Sequence, residues 1–117
     1  MEEDPNVLRL VVAFLRFHSG LTQTEFGRAA GVNQGYISRY ESGDKVPTEE
    51  VLARLARAAG VPWTLAVHLR RFCAAFLDAA NRQTLAAPSA QLDMDLIEQA
   101  VLEHVRLALS AYRLLSL

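Results

Sequence analysis

The chain has 117 residues, 51% of them hydrophobic, and its 12 basic and 13 acidic side chains nearly cancel. That length fits one compact domain or a small domain with a helical extension. The apolar share excludes disorder, and a pI near 6.3 excludes the global positive field of a non-specific nucleic-acid binder.

Asp4 followed by Pro5 reads as an N-cap and first-turn proline. The apolar run from Val7 to Phe17 continues to Ser19-Gly20, which predicts a first helix over roughly 5–18. Arg9 and Arg16 interrupt this run, so it fits neither a secretory signal nor a membrane span, and a cytoplasmic protein is expected. Thr22 with Glu25 forms a capping box, and Leu21 with Phe26 a hydrophobic staple, so a second helix starts at Gln23. It runs to about Ala30, where Gly31 takes the left-handed C-cap. Asn33 caps a third helix from Gln34 to about Ser42, closed by Gly43.

Asp44 to Pro47 form a loop, and Thr48 caps a fourth helix that reaches Ala59 before Gly60. Glu49 and Glu50 suit the dipole in its first turn. A fifth helix is expected over 64–83 and a sixth over about 91–115, beyond the Ala87-Pro88-Ser89 break. The fifth carries apolar stripes at Leu65, Leu69, Phe72 and Phe76, and at Cys73, Leu77 and Ala80. The sixth is apolar on two sides, with Met94, Ile97, Val101, Val105 and Tyr112 on one stripe. A helix with so little polar surface must be covered twice. The expectation is an antiparallel hairpin of the last two helices, packed on the first helix and on its copy in a homodimer.

Two short helices joined by a glycine turn cross steeply only over a small residue. Gly27 fits that place, four residues before Gly31, and Ile37 follows six residues after the turn. This spacing matches a helix-turn-helix, whose second helix enters the DNA major groove. With Ile37 pointing inward on a wheel of about 100° per residue, Gly35, Arg39 and Ser42 face outward. Tyr36 and Ser38 flank them, Gln34 protrudes from the first turn, and Tyr40 and Glu41 return toward the body. Gly35 costs about 1 kcal/mol against alanine in a helix; its place is understood if backbone there approaches a partner. Val32, Phe26, Leu52 and Leu55 are core and carry no functional claim.

Residues 20 to 61 resemble the Cro and lambda-repressor type of helix-turn-helix domain, the XRE family. The resemblance rests on Leu21-Thr22-Gln23, Phe26, Gly31-Val32, Ile37-Ser38-Arg39, Glu41, Gly43, Pro47, Leu52, Leu55-Ala56 and Gly60-Val61, with Val12, Leu15 and Arg16 in the first helix. It implies an all-α fold with a DNA-binding domain over 1–62, while the two-helix hairpin over 63–117, read from the apolar stripes, is expected to serve dimerisation. It further implies that Gln23 touches a phosphate and braces Gln34, that Gln34 reads adenine, and that Arg39 meets guanine or a phosphate. Ser38 and Tyr36 would make flanking contacts next to Asn33 and Gly35, while Ser42, the Gly43 amide and Lys45 would hold the sugar-phosphate backbone. Gly35 lacks a side chain where relatives often read a base, and Asp44 stands beside Lys45 in a loop that usually favours positive charge.

The expected function is a dimeric transcriptional regulator, a repressor by expectation, on an inverted repeat of double-stranded DNA. The other readings are an antitoxin-like or anti-regulator module docking through the apolar hairpin, and a DNA binder whose hairpin holds a small molecule near Phe72, Phe76 and Tyr112. No enzyme is expected, because no nucleophile and base pair, phosphate-cradling loop or metal cluster stands in motif context. Cys73 is the single cysteine, and His18, His68 and His104 lack ligand spacing, so no metal or cofactor is expected. Cys73 is expected as a buried thiol.

Overall fold

The computed structural model describes residues 6–86 together with Gln99, Leu102, Glu103 and Arg106. Five helices follow in order: α1 (Asn6–Ser19), α2 (Gln23–Ala30), α3 (Gln34–Ser42), α4 (Glu49–Ala58) and α5 (Trp63–Ala86). Gln99, Leu102, Glu103 and Arg106 are also helical. The Asp4-Pro5 cap, the Ala87-Pro88-Ser89 break, Tyr112 and most of the expected sixth helix lie outside the described residues, and so does the hairpin they would complete.

The caps set the boundaries of the short helices. Thr22 Oγ1 accepts from the Glu25 amide at 3.1 Å, and Glu25 Oε1 accepts from the Thr22 amide at 3.0 Å, so the capping box is closed on both sides. Thr48 Oγ1 accepts from the Val51 amide at the start of α4. Between α2 and α3, Gly31 turns left-handed (φ 69°), and the Val32 amide donates to the Gly27 carbonyl at 2.8 Å. The Gly31 amide donates to the Arg28 and Gly27 carbonyls, so the two amides of the turn close the last turn of α2.

α1 is the hub of the fold and touches each of the other four helices. Val7, Val11, Val12, Phe14 and Leu15 of α1 are all buried, in one core cluster with Phe26, Ile37, Leu52 and Leu55 and with Ala66, Leu69, Cys73 and Leu77 of α5, which packs on α1. This explains the excess apolar surface of the first helix.

α5 begins one residue before its expected start and runs three residues past its expected end, with the Ala66 amide closing on the Pro62 carbonyl at 3.0 Å. Its inward stripe is Ala66, Leu69, Cys73 and Leu77, a spacing of three, four and four. Phe72 and Phe76 lie beside this stripe, half-buried, with stacked rings 6.3 Å apart. The Cys73 thiol is buried, as expected. Among the described residues no helix is long and apolar enough to cross a membrane.

Glu25 makes the first cap pH-sensitive. Its carboxyl is held below the ordinary value of 4.5, chiefly by the hydrogen bond from the Thr22 backbone, then by the Thr22 hydroxyl; desolvation opposes this, and Arg28 adds a smaller lowering. A depressed folded-state value gives stability that is complete above the unfolded value and is lost as pH falls through the folded one. Glu25→Gln and the parent should therefore differ in melting temperature near neutrality and converge in acid. Thr22→Ala should cost about 1 kcal/mol in urea unfolding.

Candidate nucleic-acid interface

α3 buries Ile37 and Tyr40 and presents Gln34, Gly35, Tyr36, Ser38, Arg39 and Ser42 to solvent. The helical period dictates this split: residues three apart share the inner face, Glu41 lies at its border half-buried, and the others stay outside. At its start, Asn33 Oδ1 accepts from the Gly35 amide at 2.8 Å, so Asn33 serves as the cap. A Cβ on Gly35 would meet only that cap oxygen, at 3.2 Å, and otherwise open space.

Gly27 fixes how α3 crosses α2. A Cβ there would stand 2.7 Å from the Val32 carbonyl oxygen and 3.3 Å from both Cα and N of Gln34. Only a residue without a side chain lets the first turn of α3 come this close.

The other end of α3 is tied to α1 and α2 through Glu41. Its carboxylate pairs with Arg16, through Nε and through Nη2 at 3.2 Å, and accepts from Gln23 Nε2 at 2.9 Å. Arg16 Nη1 also donates to the Leu21 carbonyl at 3.3 Å, and Arg9 Nε donates to the Glu41 carbonyl at 2.7 Å. The expected brace from Gln23 to Gln34 is thus made to Glu41 instead, because the carboxylate offers a charged acceptor close to the first turn of α2.

The exposed face has its own internal contacts. The Lys45 ammonium lies over the Tyr36 ring, 4.6 Å from its centre, and the Tyr36 and Tyr40 rings are 6.4 Å apart at 51°. Burial raises the Tyr40 phenol above its ordinary value, and a charge on Tyr36 would add to this. The Ser42 hydroxyl donates to the Arg39 carbonyl at 3.1 Å and accepts from the Asp44 amide at 3.4 Å. The Gly43 amide, also expected to meet backbone phosphate, donates to the Tyr40 carbonyl at 3.3 Å. By contrast, the side chains of Gln34 and Arg39 stand exposed with no intramolecular partner among the described residues.

The residues expected to meet DNA are exposed on α3 and its flanking turns, except Gln23, which is half-buried and held in the Glu41 cluster. The anchoring roles of Arg9, Arg16 and Glu41 were not read from the sequence. A signal existed: Arg16 interrupts the apolar run of the first helix, and Glu41 falls on the body side of the α3 wheel. Opposite charges on faces that should be apolar point to a pair.

No curated protein matches the chain. A family model described as a helix-turn-helix domain matches residues 8–69, more than half of the 117. The match spans α1 to α4 and the first turns of α5, the same elements that pack around Ile37 and the Gly27 crossing, in keeping with the XRE-type resemblance. The chain belongs to the helix-turn-helix domain family.

Proposed function

We propose that the chain is a sequence-specific regulator of transcription, acting as a repressor, that binds an inverted repeat of double-stranded DNA as a homodimer in the cytoplasm. The observation that carries this reading is the exposed ridge of α3, held at one end by the Gly27 crossing and at the other by Glu41, with Gln34 and Arg39 free to meet a ligand. In this reading the chain binds and performs no chemistry.

The chemistry of each group assigns its contact. The Gln34 amide offers a donor and an acceptor that match N6 and N7 of adenine, and the Arg39 fork matches O6 and N7 of guanine. Ser38 and Tyr36 flank these bases. Lys45, with Ser42 and Gly43 at the edge, lies beside the sugar-phosphate backbone, and Gln23 borders a phosphate at the start of α2. Dimerisation falls to α5 and the segment after it as a hairpin; the long α5 and its half-buried Phe72 and Phe76 support this. A two-fold axis there would set two copies of α3 one DNA turn apart, roughly 34 Å.

Footprinting on genomic fragments tests the reading: a single protected palindrome is expected, whereas only diffuse, salt-labile binding would overturn it. Arg39→Ala should weaken binding at that palindrome by about 1–3 kcal/mol. Equal weakening on every sequence would reduce Arg39 to a phosphate contact.

A further inference from the structure

Phe17 is an aromatic residue in the last turn of α1 that the helix-turn-helix core does not use; 45% of its surface is exposed. The guanidinium carbon of Arg106 lies over its ring, 5.3 Å from the centre. Next to it is an open cleft of about 350 Å³, lined among the described residues by Phe17, Gln99, Leu102 and Glu103. That volume falls in the range of small-molecule sites.

The cleft combines an aromatic face, an apolar wall, an amide and a carboxylate. An aromatic face attracts a cation through its quadrupole, and Arg106 demonstrates that this ring accepts a planar one. Glu103 places a negative charge at the same opening, and Gln99, one helical turn away, adds a hydrogen-bonding group. Leu102 packs on the core and closes the apolar side.

From this arrangement we infer a binding site for a small organic cation, a planar amidinium or guanidinium on an apolar body. The ligand's cation takes the place of the Arg106 guanidinium on Phe17, and its charge is met by Glu103. Arg106 is then the resident competitor, which leaves the ring as the ligand arrives. Its described lining comes from α1 and the segment after α5 and includes no residue of α3, so the inference does not rest on the DNA reading.

Calorimetric titration of the full chain with benzamidine, and with the neutral isostere benzamide, tests the site. Benzamidine should bind at least about tenfold more tightly than benzamide. Glu103→Gln should weaken benzamidine several-fold, and Phe17→Leu about threefold or more, in line with an exposed cation–π contact. Arg106→Ala should tighten it, a direction that a merely structural role for Arg106 would not give. Glu103 is exposed, so Glu103→Gln should keep the parent's circular dichroism melt. Equal binding of the two probes, no saturable binding at millimolar benzamidine, or weaker binding by Arg106→Ala would each overturn the assignment.

Discussion

Gly27→Val should remove at least about 3 kcal/mol of stability in urea unfolding and abolish DNA binding at temperatures where the parent is folded. The added Cβ would meet the Val32 carbonyl at 2.7 Å and the Gln34 backbone at 3.3 Å, and backbone atoms cannot rotate out of the way as a side chain can. Relief requires α3 to move off α2, which opens the packing around Ile37 and Phe26, both fully buried. Gly27→Ala sets up the same clash with a single methyl but gains about 1 kcal/mol in helix propensity, so its loss should be smaller. The stability order glycine, alanine, valine is expected. An alanine variant as stable as the parent would show that the crossing does not depend on close approach.

Glu41→Ala should cost about 2 kcal/mol in the same measurement, below the loss for a fully buried pair because the Arg16 side chain is 30% exposed and can regain water. The loss has two sources. Among the described residues the Arg16 side chain keeps only the Leu21 carbonyl as a partner, and the Gln23 amide loses its Glu41 acceptor. DNA affinity should also fall, measured on the folded fraction, because the C-terminal end of α3 loses its side-chain tie to Arg16 and Gln23 and keeps the Arg9 bond to the backbone carbonyl. Replacing both partners with apolar residues, Arg16→Met with Glu41→Leu, should recover much of the stability. Strictly additive losses in that double variant would mean that the pair is not coupled.

The local structure was legible because it is written in local chemistry. Thr22 with Glu25, Asn33, Gly31, Gly43 and Thr48 act on backbone groups within a few residues, so the starts of α2 and α3 and the left-handed glycines fall where the sequence places them. The outward face of α3 follows from Ile37 and the helical period alone. The stripe of α5 was harder. The pattern offered two candidate faces, and only packing on α1 showed that Ala66, Leu69, Cys73 and Leu77 turn inward while Phe72 and Phe76 stay half-buried.

Sequence alone therefore determined the first five helices, the caps of α2, α3 and α4 and which side of α3 faces outward, because hydrogen bonds and periodicity act over three or four residues. Tertiary structure decided what holds that face in place. Arg16 and Glu41 are 25 residues apart, and Gln23 and Glu41 are 18 apart. Whether a carboxylate meets an arginine, an amide or water depends on where three helices converge, and only the folded core fixes that point.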